Sequence, residues 1–413
     1  MTRITIRRPD APIRATIHLP RSKSISNRAL IAASLAGDLS CLEFLSDADD
    51  TRILHGSLRD KPRVMDCGLG GTTFRFLLAW AAVQQGEEHL LTGHATLLER
   101  PHDDLIDALR KLGAVIERTT EGYRVKGVRL KGGTIAFDSP ISSQYLSALM
   151  LVAPHMDKGL RIEWRGTQLS RPYVEMTAKV MRHFGAEVET VETVIDVRPG
   201  HYLPRPFEVQ CDWSAAAFWY EVVALAQDAE VELMGLKRDG WQGDERVMTL
   251  LGPFVGSEVR DQGVFLSSQS IDHGCDPLPG FRLIDLAATP DLFQPTLSAF
   301  AGQLCPVTFT GLGTLRVKET DRIKAMVDSL FRLGHWISVT PDGNVDSENV
   351  AWSARSEGPF RVFGDHRMAM ALAPLALVTG IITLEDPDVV SKSYPRYWED
   401  LEEAGFGVEW STD

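Results

Sequence analysis

The chain has 413 residues, 44% of them hydrophobic and 24% charged, the composition of an ordinary globular protein long enough for two or three domains with large cores. Its formal net charge of −13 argues against a nucleic-acid or anionic-membrane binder, so any anion site must gather its cations locally. The five cysteines (Cys41, Cys67, Cys211, Cys275, Cys305) lie far apart without a CxxC spacing, which predicts neither a disulfide framework nor a metal site. No apolar leader opens the sequence and no apolar run approaches the roughly 20 residues of a membrane span. A reducing cytoplasm is the expected location.

Residues 13–19 alternate and predict a strand, and the Ala/Leu-rich run 29–35 predicts a helix. Arg21, Ser22, Lys23, Ser24, Ser26 and Arg28 therefore stand at a strand-to-helix junction. Backbone N–H groups there lack partners and the helix dipole is positive. Two readings fit: a serine-capped helix with solvated cations, or an anion site suited to phosphate. A second junction follows the short strand 64–66, where Cys67-Gly68-Leu69-Gly70-Gly71-Thr72-Thr73-Phe74-Arg75 leads into a helix over 74–83. It lacks the P-loop pattern, and a tight strand–helix connection is its plainer alternative.

Further on, Ser142-Ser143-Gln144 precedes an apolar helix over 145–152, and Asp291 precedes one over 296–301. Each fits a helix cap; the first also fits a polyhydroxylated or phosphorylated ligand, and Asp291 a general base. Arg316-Val317-Lys318-Glu319-Thr320-Asp321-Arg322 is the densest charged stretch and runs into a helix over 323–333. Gly364-Asp365-His366-Arg367 opens a strongly apolar helix over 371–378, and Ser391-Lys392-Ser393-Tyr394-Pro395 closes the set. Prolines beside basic residues at 100–102, 171–173 and 394–396 predict helices with Pro in the first turn. An acidic chain has thus placed its cations at helix starts, where they oppose the dipole unless an anion lies between.

A helix ending in Gly and followed by a short strand recurs at Gly113, Gly185, Gly334 and Gly405, with weaker copies at Gly37 and Gly252. The spacing of roughly 65–80 residues suits a βαβαββ unit used about six times. Residues 199–210 read as a crossing between domains, and 256–280 and 341–359 as loops and edge hairpins.

The motifs LPxSKSxSNRAL, GTxxR, ERP, SSQ, SRPY, VKETDR, GDHRMAM and SKSYP, in this order from residue 19 to about 407, resemble the 5-enolpyruvylshikimate-3-phosphate synthase family. The resemblance implies a two-domain inside-out α/β fold with three βαβαββ repeats per domain, 1–20 plus 211–413 forming one and 21–210 the other, closing on substrates held between them. It implies transfer of the enolpyruvyl group of phosphoenolpyruvate to the 5-hydroxyl of shikimate 3-phosphate through a tetrahedral intermediate, with release of phosphate and no metal or cofactor. By matching motif, Lys23, Ser24, Arg28, Ser142, Ser143, Gln144, Ser170, Tyr173, Asp291 and Lys318 would hold shikimate 3-phosphate. Lys23, Gly71, Arg100, Gln144, Arg322, Arg367 and Lys392 would hold phosphoenolpyruvate. Asp291 is then the candidate base for the hydroxyl and Glu319 the candidate for proton transfer at the methylene carbon. Lys23 would shuttle a proton and stabilise the leaving phosphate, and His366 would help orient the enol phosphate. The expected partners are these small anions alone, without nucleic acid or membrane, and the chain is expected to be a monomer.

Three positions depart from the family pattern: Leu69 where many members have Asn, Phe76 where many have Pro, and Thr314 where some have Asn. Gly71 matches the glycine linked to glyphosate sensitivity. The rival readings are the sister enolpyruvyl transferase acting on UDP-N-acetylglucosamine, and a non-catalytic anion-binding protein of the same fold. Against the first stand Lys23-Ser24 in place of a Lys-Asn pair and the lack of a suitably placed loop Cys. Against the second stands the joint presence of Lys23, Asp291, Glu319 and Lys392.

Overall fold

The computed structural model describes residues 2–269, 282–348, 352 and 358–412; Cys275 and the remainder of the two predicted loop stretches lie outside the described residues. The chain divides into two compact units, Arg21–Gln210 and Met1–Pro20 with Cys211–Asp413.

One sheet plan recurs. Strands Val64–Asp66, Glu88–Thr92, Val115–Arg118 and Tyr123–Lys126 lie side by side in the order first, second, fourth, third. The first two are parallel, joined through a helix, and the other pairings are antiparallel. The four strands from Gly133–Asp138 to Val194–Val197 repeat this order and polarity, as do those from Leu283–Asp285 to Val345–Ser347. A fourth copy begins with Ile13–His18 but takes its second strand, Ala229–Met234, from beyond residue 210. The whole Arg21–Gln210 unit is therefore inserted in one crossover connection. In a fifth copy, Phe360 bridges in parallel to Ile381–Glu385, and the N-terminal Thr2–Arg7 takes the place of the fourth strand beside Gly407–Thr412. The sixth is reduced to Leu42–Glu43 paired in parallel with Phe207–Glu208.

Eight helices matter for the site: α1 (Lys23–Ala36), α2 (Gly71–Ala82), α3 (Ser143–Val152), α4 (Arg171–His183), α5 (Trp213–Leu225), α6 (Phe293–Gly302), α7 (Arg322–Arg332) and α8 (His366–Leu372). In the 21–210 unit, α1, α2 and α3 pack on one another; in the other unit, α5, α6 and α8 do so. These six are apolar nearly all round, and almost every residue of each beyond the first turn is buried, as expected for helices surrounded by protein. The amphipathic helices α4 and α7 instead keep a charged face in water. Each unit thus has helices at its centre and sheets outside them.

The recurring glycines work as C-caps. Gly37, Gly113, Gly185, Gly334 and Gly405 all have positive φ, between 82° and 107°, where a Cβ would be strained. Gly252 is not among the positive-φ glycines, so that weak copy ends its helix differently. The proline expectation needs correction. Pro172 lies in the first turn of α4, but Pro101 and Pro395 each lie one residue before the N-cap of helices Asp103–Lys111 and Tyr397–Glu403. At Pro101 the carbonyl is turned aside to accept the Tyr145 hydroxyl at 2.6 Å.

Candidate active site

Within each unit, most of the predicted residues lie at or beside helix N-termini. In the 21–210 unit, Lys23 opens α1 and donates from Nζ to Asp50 Oδ2 at 3.0 Å. Ser22 is the N-cap, without a side-chain capping bond, and because α1 begins at Lys23 both Ser24 and Arg28 sit inside its first two turns. Ser142 caps α3 by accepting the Gln144 N–H at 3.2 Å, and Ser143 is the first helical residue. Gln144 in turn accepts from Arg75 Nη1 at 2.5 Å, while the Arg75 guanidinium lies 5.3 Å from the Tyr145 ring centre.

Gly71 opens α2, where an added Cβ would crowd the Arg100 guanidinium. A Cβ there would stand 2.8 Å from Arg100 Nη1 and 3.3 Å from Arg75 Nη1, so the backbone is the floor on which the Arg100 guanidinium rests. If Arg100 holds phosphoenolpyruvate, as the motif resemblance implies, Gly71→Ala is expected to push Arg100 outward and raise KM for that substrate about ten-fold, the cost of misplacing one charge-assisted contact. Steady-state kinetics would check this, with KM for the larger substrate as the internal control.

Arg28 is only 2% exposed. Its Nε donates to Thr177 Oγ1 at 2.7 Å, Nη1 to the Ser24 carbonyl at 2.8 Å and Nη2 to Ser147 Oγ at 3.3 Å. No carboxylate among the described residues lies within ion-pair distance. Burial pushes its pKa down to about 10, the nearby Tyr173 opposing this. Ser170 precedes α4 in the left-handed conformation (φ 59°), and the Tyr173 ring centre is 5.9 Å from the Arg28 guanidinium.

In the other unit the cations are matched by carboxylates. Arg322, 2% exposed, bonds Asp365 through Nε (2.7 Å) and Nη2 (3.3 Å), Asp291 through Nη1 (2.9 Å) and Glu319 through Nη2 (3.0 Å). Arg367 reaches the Asp291 carboxylate through Nη2 (3.2 Å), and Lys392 donates to Glu319 at 2.9 Å. Lys318 Nζ is 3.6 Å from Asp291 Oδ1; burial lowers its pKa, against the pull of that carboxylate. For Arg322, burial works to lower the pKa but is outweighed by Asp365, Glu319 and Asp291, which raise it. Asp291 does not cap α6. It lies in the 3₁₀ turn Pro290–Leu292 and offers its carboxylate to the arginines. Asp365 is the N-cap of α8, accepting the Arg367 N–H at 2.9 Å, and His366 Nδ1 lies 3.9 Å from it. Bringing several cations together without counter-charge would be costly, so the carboxylates that hold the cations are part of the site's stability.

Several participants escape a reading of the sequence. Asp50 stands beside Asp47 and Asp49 and looks like acidic surface, yet it is buried against Lys23. Asp365 carried a signal, an acidic residue immediately before an apolar helix, but not its bond to Arg322. Asp244 had none; it is buried, accepts a hydrogen bond from Ser214 at the start of α5, and has its pKa raised to about 6 by burial first and Asp291 second. A carboxyl whose folded pKa lies above its unfolded value near 4 binds more protons when folded. Stability is then expected to fall as pH rises from about 4 to about 6, and Asp244→Asn to flatten that fall in urea midpoints measured across the range.

The departures have structural counterparts. Leu69 is 39% exposed, whereas Phe76 is buried with its ring centre 5.4 Å from the Arg28 guanidinium. Thr314 is buried, and its Oγ1 finds no hydrogen-bond partner among the described residues.

The family model described as EPSP synthase (3-phosphoshikimate 1-carboxyvinyltransferase) matches residues 53–401. A 3-phosphoshikimate 1-carboxyvinyltransferase from Bacteroides fragilis is 39% identical over 405 residues, covering 96% of this chain and 97% of the relative. One from Methanoculleus marisnigri is 32% identical, covering 94% and 96%. A solved EPSP synthase from Acinetobacter baumannii shares the fold with a TM-score of 0.78 at 22% identity, each chain covered completely. No described helix is long and apolar enough to cross a membrane.

Proposed function

This chain belongs to the EPSP synthase family, and on that premise we propose how its residues divide the family's reaction. The chain is a 3-phosphoshikimate 1-carboxyvinyltransferase. It moves the enolpyruvyl group of phosphoenolpyruvate onto the 5-hydroxyl of shikimate 3-phosphate and releases phosphate. Lys23, Ser24, Arg28, Ser142, Ser143, Gln144, Ser170, Tyr173, Asp291 and Lys318 are assigned to shikimate 3-phosphate. Lys23, Gly71, Arg100, Gln144, Arg322, Arg367 and Lys392 are assigned to phosphoenolpyruvate.

The observation that carries this assignment is Arg28. A guanidinium withdrawn from water with no carboxylate beside it is costly, and a phosphorylated ligand supplies the missing charge. In the first step Asp291 takes the proton of the 5-hydroxyl as its oxygen bonds to the substituted enol carbon, and Glu319 gives a proton to the methylene carbon. Glu319, held by Lys392 at 2.9 Å and Arg322 at 3.0 Å, enters this step protonated and recovers that proton in the next. In the second step Glu319 takes back a proton from the methyl group, the carbon–oxygen bond to phosphate breaks and phosphate leaves, with Lys23 protonating it and His366 and Arg367 orienting it. Arginine and lysine side chains supply the positive field throughout.

The test is phosphate release from the purified chain with shikimate 3-phosphate and phosphoenolpyruvate together. Release requires both substrates on this reading. Release with UDP-N-acetylglucosamine instead would move the assignment to the sister transferase, and binding without turnover to a non-catalytic protein. We further propose a monomer in the cytoplasm without nucleic-acid partners, in keeping with the net charge of −13 and the free thiols of Cys41, Cys67 and Cys305.

A further inference from the structure

We infer that the hydroxyls of Thr177 and Ser147, together with the ring of Phe76, are positioning groups that fix the Arg28 guanidinium for shikimate 3-phosphate. The inference rests on the assignment of Arg28 to that substrate. A guanidinium has five N–H donors in a fixed fork. Three bonds hold Arg28 through all three nitrogens, leaving one N–H on each terminal nitrogen, the pair that a carboxylate or phosphate grips bidentately.

The two hydroxyls form a closed set. Thr177 accepts from Arg28 Nε and lies 2.8 Å from both Ser147 Oγ and the Tyr173 carbonyl. The single Thr177 hydroxyl proton is shared between Ser147 Oγ and that carbonyl, while Ser147 also accepts from Arg28 Nη2. Thr177, Ser147 and Phe76 are themselves buried, and they come from α4, α3 and α2. Three helices therefore constrain one side chain of the fourth, α1. Phe76 faces the guanidinium at 5.4 Å and Tyr173 at 5.9 Å, aromatic contacts that hold a cation without neutralising it. An acidic partner would hold Arg28 as firmly but would compete with the ligand. Neutral hydroxyls and rings keep its charge available, which is why this arrangement reads as positioning rather than as simple core packing.

The experiment compares Thr177→Val, which removes the hydroxyl at nearly constant shape, with Thr177→Ser, which keeps it, Phe76→Leu and Arg28→Lys. KM for each substrate, kcat and Tm are measured for each. Thr177→Val is expected to raise KM for shikimate 3-phosphate about ten-fold, the loss of a hydrogen bond to a charged group. Phe76→Leu is expected to raise it about three-fold. Neither should change KM for phosphoenolpyruvate, and Thr177→Ser should restore the wild-type value. A fall in Tm with an unchanged KM ratio in Thr177→Val and Phe76→Leu overturns the inference, because it marks a structural role alone. Should Thr177→Val not fold, Phe76→Leu and Thr177→Ser decide it on the same ratio. If Arg28→Lys also leaves KM for shikimate 3-phosphate unchanged, the assignment of Arg28 itself falls; if Arg28→Lys raises it while the others do not, only the present inference falls.

Discussion

Glu319→Gln is expected to lower kcat by about 10²- to 10⁴-fold, the range for loss of a general acid–base group, with the folding transition preserved. Glutamine keeps the shape and an acceptor for Arg322 at 3.0 Å, but it neither takes nor gives a proton at the methylene carbon. Since the contacts to Arg322 and Lys392 survive in part, KM for phosphoenolpyruvate should change far less than kcat. That split separates a proton-transfer role from a binding one. Stopped-assay turnover beside a urea titration would measure it, and kcat within ten-fold of wild type would remove Glu319 from the mechanism.

Arg322→Met is expected to abolish activity and to cost about 3–5 kcal/mol of stability, the penalty for breaking a buried pair and leaving its partners charged. Arg322 is bonded to Asp365, Asp291 and Glu319 at once; Asp291 keeps Arg367 and Lys318 and Glu319 keeps Lys392, so its loss falls hardest on Asp365. Asp365 is fully buried and is the worst placed of the three. Adding Asp365→Asn should therefore recover a good part of the stability and none of the activity. Chemical denaturation of the single and double variants measures this. Additive losses would mean that Arg322 and Asp365 do not stabilise one another.

Much of this site is legible in the sequence because its chemistry is tied to local rules. Strand-to-helix junctions can be read from alternation, apolar runs and cap residues, and Lys23, Gly71, Ser142 and Arg367 all lie at such junctions. The recurring C-cap glycines anticipate the recurring sheet plan for the same reason: positive φ is a demand that glycine meets locally. What is set by distant chain segments is not legible. Nothing near Lys23 announces Asp50, and nothing in the densely charged 316–322 stretch announces that Arg322 would be the most enclosed of its cations. Asp291, Glu319 and Asp365 are visible in the sequence as single acidic residues, but that all three converge on Arg322 emerges only in the folded unit. Pro101 shows the same limit at short range, since a tertiary bond to Tyr145 accompanies its place outside the helix.

The most direct measurement is a crystal structure of the chain with shikimate 3-phosphate and an unreactive phosphoenolpyruvate analogue bound. It should show an anionic group of shikimate 3-phosphate gripped by the two uncommitted N–H groups of Arg28, and the analogue within hydrogen-bonding distance of Arg100, Arg322, Arg367 and Lys392. Either ligand bound in full occupancy away from these side chains would contradict the account.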